Sequence, residues 1–158
     1  MCGFVGVLNY NDSDIGFIEK ASESISHRGP NDKYNTILKR DRLLFFFRRL
    51  SIIDLSDNGR QPMRSRSKRY LIVFNGEIYN FKVLKRKYLK SFNSVGTSDT
   101  EIFLNLIDVY GLEFALSKCE GMFSFALWCR KTNVLFLGRD RLGEKPLYYG
   151  WQDNGRSR

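Results

Sequence analysis

The sequence predicts a layered protein of sheets and helices, and three observations carry that reading. Two strand-like stretches, "YLIVF" at 70–74 and "MFSFALW" at 122–128, are apolar at nearly every position. Strands of that kind are buried on both faces. Between the strands lie segments with a single apolar stripe at helical spacing, which suits helices covering a sheet. The length, 158 residues, suffices for one domain that buries on the order of 70% of its unfolded surface.

Taken in order, the first element is a strand at 3–9. A helix at 15–26 follows, with Ile15, Ile18 and Ile25 on one face and Ser13 or Asp14 available as a cap. Strands are expected at 43–47, 50–55 and 70–74. Phe81, Leu84 and Tyr88 fall at i, i+3 and i+7 and predict a helix at 81–90. In "SDTE", Ser98 and Glu101 have capping-box spacing. The helix they open carries Phe103, Leu106, Ile107 and Tyr110 on one stripe, and Gly111 can end it. Strands at 122–128, 134–138 and 147–151 complete the pattern. Neither a repeat nor a Pro/Gly-rich linker interrupts the chain, so no internal boundary is expected.

Composition excludes several classes of function. The longest strongly apolar run, "LLFFF" at 43–47, is too short to span a bilayer. The N-terminus lacks the basic start and long apolar stretch of a secretory signal. A cytoplasmic protein with no membrane partner is therefore expected. Cys2, Cys119 and Cys129 are odd in number and have no CxxC spacing, so neither a disulfide framework nor a metal site is expected. Cys119 and Cys129 read as core thiols. The formal net charge of +9 gathers at 60–69 and 82–90. The second stretch reads as the wet face of a helix and the first as a solvated loop, and no recognition motif accompanies them, so no nucleic-acid partner is expected.

Chemistry is suggested first by "MCGFVGVLNY". Cys2 reads either as a small buried residue or as a nucleophile exposed when Met1 is removed, which a small second residue permits. In the second case an α-amine with a reference pKa of about 7.7–8.0 stands beside a thiol of about 8.5. A neutral amine of that kind can take the thiol proton directly or through a water. That matters because the one histidine, His27, lies in the loop-like "SHRGP".

Further stretches then match one pattern in order: "MCGFVGVL", "HRGPND", "RRLSIIDLS", "QPM", "FNGEIYN", "SDTE", "GMFSFALW" and "GRDRLGEKPLYYG". Together they resemble the glutaminase domain of class II glutamine amidotransferases, above all that of the glutamine-hydrolysing asparagine synthetases. The resemblance implies an α+β fold, the four-layer αββα sandwich of N-terminal-nucleophile hydrolases with two antiparallel sheets. It implies hydrolysis of L-glutamine to glutamate and ammonia through a thioester on Cys2. The Asn75 side chain and the Gly76 backbone N–H would form the oxyanion hole. Arg49 would bind the substrate carboxylate, Glu77 and Asp99 its ammonium, and the backbone at Ile52 and Ile53 would line the pocket.

Read without the resemblance, each of these residues has a plainer account. Asn75-Gly76 is a common turn pair, Arg49 a surface arginine, Glu77 a strand-end acid, and Asp99 an acid in the first turn of a helix. In "HRGPND", His27 and Arg28 read as parts of a structural loop. The glycines and arginines of "GRDRLGEKPLYYG" lack the pattern of a phosphate-binding loop and read as strand, turn and strand.

Two departures from the family pattern stand out. Phe46 and Phe47 occupy positions where relatives carry a small pair, which raises the question of repacking next to Arg49. The sequence also ends at "WQDNGRSR", before the last strand and helix expected of the glutaminase domain and before any synthetase domain. The expectation is an incomplete glutaminase domain over 1–158 with no cofactor of its own. ATP and magnesium would belong to a synthetase domain, and the ammonia would pass to a synthetase acting in trans. The alternative is an inactive fragment or an interaction module of the same fold.

Overall fold

The computed structural model describes residues 2–151. In chain order the elements are β1 (Gly3–Leu8), α1 (Asp12–Ser24), β2 (Asp32–Leu38), β3 (Leu43–Arg49), β4 (Met63–Arg64), β5 (Tyr70–Ile78), α2 (Phe81–Tyr88), α3 (Asp99–Tyr110), α4 (Leu112–Lys118), β6 (Gly121–Cys129) and β7 (Val134–Arg139). Two antiparallel sheets result, one ordered β1-β3-β2 and the other β4-β5-β6-β7.

Because side chains alternate across a strand, each sheet serves two apolar layers. Leu44 and Phe46 of β3 point outward and pack with Val5, Val7, Tyr10, Ile15 and Ile18 beneath α1. Leu43, Phe45 and Phe47 point inward, against Leu71, Val73, Ala126 and Trp128 of the second sheet. On its far side that sheet presents Ile72, Phe74, Phe123, Phe125 and Leu127 to α3 residues such as Phe103 and Leu106 and to Leu84 of α2. Helix, sheet, sheet and helices are thus stacked as four layers. Each fully buried Leu or Phe contributes about 1.5–3 kcal/mol. Phe46 and Phe47 do not disturb the strand: one enters the layer under α1 and the other the layer between the sheets, with β3 in unbroken register from Leu43 to Arg49.

Several elements differ from the sequence reading. The first helix starts at Asp12, earlier than expected, and its start is fixed by the Asp14 carboxylate, which accepts from the Asn11 N–H at 2.8 Å. Ser98 caps α3 as expected, accepting from the Glu101 N–H at 3.1 Å. The box closes on that side only, because the Glu101 carboxylate accepts instead from the N–H groups of Val95 and Gly96, at 2.8 and 3.0 Å. β2 is an edge strand that mixes polar and apolar residues on both faces, Lys33, Asn35 and Ile37 outward and Asp32, Tyr34, Thr36 and Leu38 inward, which hid it among loop residues. β4 is only two residues long, and α4 follows α3 directly after Gly111.

The expected strand at 50–55 is instead an irregular segment. Its backbone groups bond outside any ladder: the Leu50 N–H donates to Cys2 Sγ, the Ser51 N–H donates to Asn31 Oδ1, and the Asp54 carbonyl accepts from Arg49. The expected strand at 147–151 also has no ladder, and Tyr148 and Trp151 are 91% and 95% exposed. No helix among the described residues is long and apolar enough to cross a membrane.

Cys119 is buried in the layer beneath the helices, and burial pushes its thiol up to about 12. The folded chain therefore keeps a proton that an unfolded chain releases above about pH 8.5. Stability from this group is complete below that pH and is lost as pH rises, at about 1.4 kcal/mol per unit. Urea unfolding of wild type between pH 8.5 and 10.5 is expected to lose stability faster than that of Cys119→Ala. Equal slopes would show that the thiol ionises freely in the fold.

Candidate active site

The strands that fill the space between the sheets also build the site at one end of it. Along β3 the inward positions are Leu43, Phe45, Phe47 and then Arg49. Along β5 they are Leu71 and Val73, then Asn75 and Glu77. Cys2 and Phe4 pack in the same layer. In each case the alternation continues past the apolar core, so polar side chains on three strands face one space. There a cavity of about 120 Å³ is lined by Cys2, Arg49, Asn75, Gly76, Glu77 and Asp99, with Ile52 and Ile53 among its other walls. Each catalytic or substrate-binding residue implied by the resemblance lines this cavity.

Cys2 is half-buried, and its Sγ accepts from the Leu50 N–H at 3.4 Å. Burial raises its thiol pKa, and the hydrogen bond from the Leu50 backbone works in the opposite direction. Its carbonyl oxygen accepts from Arg28 Nε at 3.3 Å. Arg28, in the expected structural loop, thus ties that loop to the main chain that carries the thiol.

Arg49 is 5% exposed. It donates to Asp32 Oδ2 at 3.4 Å, to the Ser56 carbonyl at 2.9 Å and to the Asp54 carbonyl. The plain account of Arg49 as a surface residue is thereby excluded. Its guanidinium folds residues 50–56 back over the cavity and holds Ile52, 69% exposed, at the rim. Gly59 belongs to the same clamp, because a side chain there would collide with the guanidinium. Asp54 anchors the segment from the other side: Oδ1 accepts from Ser56 N and Oγ at 2.8 and 2.6 Å, and Oδ2 from Thr97 N at 2.7 Å. Burial opposes the Asp54 charge, but these hydrogen bonds outweigh it and hold the carboxyl below the usual carboxylate range.

Asn75 and Gly76 lie within β5 and not in a turn. Asn75 is 6% exposed, and its carboxamide has no hydrogen bond among the described residues. Gly76 has φ +153°, and a Cβ there would collide with the Met122 carbonyl of β6. Only glycine fits so close an approach. Ahead of this pair, Gln61 acts as a strand residue made from a side chain. Its Oε1 accepts from Phe74 N at 2.6 Å and its Nε2 donates to Phe74 O at 3.2 Å.

The two acids differ. Asp99 is buried at the start of α3 and accepts from Ile78 N and Thr100 N, both at 2.8 Å. Burial raises its pKa, the two backbone hydrogen bonds lower it, and the negative charge of Glu77 raises it further. A cation placed between the two carboxylates would relieve that strain.

Sequence reading gave no role to Leu50, Asp54, Gly59, Gln61, Thr100 or Lys145, all of which line the cavity. Lys145 is brought there by a turn gathered on Asp140, whose carboxylate accepts from the N–H groups of Phe123, Leu142, Glu144 and Lys145. The motifs "QPM" and "GRDRLGEKP" were the available signals, but the bonds from Gln61 to Phe74 and from Asp140 to Phe123 join segments distant in sequence.

A thiol at position two, in a two-sheet sandwich with helices on both outer faces, defines the N-terminal-nucleophile class of architecture. Residues 1–157 match the glutamine amidotransferase domain family, and the chain belongs to it. It is 42% identical over 156 residues to asparagine synthetase [glutamine-hydrolyzing] 1 of Bacillus subtilis (strain 168), covering 94% of this chain and 24% of that protein. It is 35% identical over 159 residues to asparagine synthetase B [glutamine-hydrolyzing] of Escherichia coli (strain K12), covering 99% and 28%. To amidase chry2 of Gibberella zeae it is 37% identical over 137 residues, covering 87% and 20%. The chain thus spans about a quarter of the length of the curated relatives it matches.

Proposed function

We propose that residues 1–158 form a glutaminase domain that hydrolyses L-glutamine to glutamate and ammonia through Cys2. The observation that carries this reading is the convergence on one small cavity of a thiol, a buried unpaired carboxamide, a clamped guanidinium and two neighbouring carboxylates. Its volume is far below the roughly 300–1,000 Å³ of pockets for drug-sized ligands, which suits an amino acid.

The chemistry follows from those groups. With Met1 removed, the Cys2 α-amine takes the thiol proton as Sγ bonds to the amide carbon of glutamine. The oxyanion that forms is held by the Asn75 Nδ2–H and the Gly76 N–H, donors worth about 10²–10³ in rate each. Collapse breaks the C–N bond, and the ammonium formed at the amine returns its proton to the leaving ammonia. Water, deprotonated by the same amine, then attacks the thioester, and the thiol leaves with glutamate. Arg49 holds the substrate carboxylate, as guanidinium groups do well, while Glu77 and Asp99 hold its ammonium.

No cofactor enters these steps. The ammonia supplies an asparagine-synthetase-type amidation in the cytoplasm, carried by a synthetase domain or subunit that would bring ATP and magnesium. The named relatives include both asparagine synthetases and an amidase, so the glutaminase half alone does not choose the acceptor.

The test is glutamate release from L-glutamine by the purified chain, with loss of Met1 verified by intact mass. Release by the processed chain and none by a preparation retaining Met1 is the expected result. Equal release from both would remove the α-amine from the mechanism, and none from either would remove the glutaminase reading for this chain.

A further inference from the structure

We propose that Ser124 is a positioning residue for the Asn75 carboxamide, an inference that rests on the glutaminase reading. In the ladder between β5 and β6, Asn75 stands directly opposite Ser124, and across the next ladder Ser124 faces Arg139 of β7. Opposed residues of this kind hold their Cβ atoms about 4.5–5.5 Å apart. Both side chains leave the sheet on the face that Val73 and Ala126 turn toward the first sheet. Asn75 is 6% exposed and Ser124 1%.

The Ser124 hydroxyl has no hydrogen-bond partner among the described residues. An unpaired buried hydroxyl is a net cost to stability, and Ala126, two residues on along the same face, needs none. Arg139 does not answer it, because its guanidinium lies against Gly143. Within reach on the other side is the Asn75 carboxamide, itself without a partner.

A turn about the Ser124 Cα–Cβ bond brings Oγ to Asn75 Oδ1, where the hydroxyl donates and the amide oxygen accepts. That bond fixes which end of the carboxamide faces the cavity. With Oδ1 held, Nδ2–H points at the developing oxyanion. Without it, the flipped amide would present an oxygen to a negative charge. The hydroxyl thus acts through Asn75 and never touches the substrate.

The experiment is a double-mutant cycle on the Met1-processed chain, with kcat and KM for glutamine measured for wild type, Ser124→Ala, Asn75→Ala and the double variant. The expected result is a kcat about tenfold lower for Ser124→Ala, an unchanged KM, and no further loss when the change is added to Asn75→Ala. Urea unfolding of Ser124→Ala checks that the variant stays folded, with only the small loss of stability expected for one hydrogen bond. A kcat for Ser124→Ala within twofold of wild type overturns the proposal. So does an equal loss in both backgrounds, which would reflect a structural effect. A wild type that releases no glutamate overturns the glutaminase reading and this inference with it, and Cys2→Ala activity equal to wild type does the same. Those results are distinct from an active wild type that ignores Ser124.

Discussion

Cys2→Ala is expected to lower glutamate release by about 10⁴-fold or more, in keeping with removal of a covalent nucleophile. Stability should change little, because the half-buried thiol makes only long hydrogen bonds, to the Leu50 N–H and carbonyl, and sits beside a cavity. Glutamine should still bind, since the groups proposed to hold its two charges remain. Retention of a tenth of the wild-type rate would exclude Cys2 as the attacking atom.

The pH profile of the wild type separates two ways of activating that thiol. Burial raises the Cys2 pKa, so thiolate formed by simple ionisation would leave the rate still climbing above pH 9. Removal of the proton by the α-amine makes the rate level off near the amine pKa, about 8. A plateau near pH 8 is expected in kcat/KM.

How much of this was legible beforehand depended on range. Strands buried on both faces announced stacked sheets, and the stripes of α2 and α3 announced their helical cover. The site residues were readable only through the resemblance; in the structure Arg49 after Phe47, and Asn75 and Glu77 after Val73, stand where a strand's alternation runs beyond its apolar core. What stayed hidden depends on contacts between distant segments. Residues 50–55 resemble a strand in composition, yet Cys2, Asn31 and Arg49 take their backbone groups. β2 was masked by polar residues on both of its faces, Lys33 and Asn35 on one and Asp32 and Thr36 on the other. Gln61 gave no local sign that its side chain would pair with Phe74, and Arg28 none that it would reach the Cys2 carbonyl.

Arg49→Ala is expected to raise KM for glutamine by about 100-fold or more, with a smaller fall in kcat, because the charge proposed to bind the substrate carboxylate is lost. The geometry adds a second expected effect. The same guanidinium carries hydrogen bonds to Asp32 and to the Asp54 and Ser56 carbonyls, so its removal leaves buried carbonyls unpaired and costs about 2–4 kcal/mol of stability. Arg49→Lys then separates charge from shape. An ammonium restores the positive charge but cannot reach two loop carbonyls, Asp32 and a substrate carboxylate from one point. Lys should therefore recover little of the glutamine affinity and little of the stability. If Lys restored KM while the chain stayed destabilised, substrate binding would need only charge and the clamp would be purely structural. If neither variant altered glutamine dependence, the carboxylate would be held elsewhere in the cavity, and Arg49 would serve only to fold residues 50–56 over it.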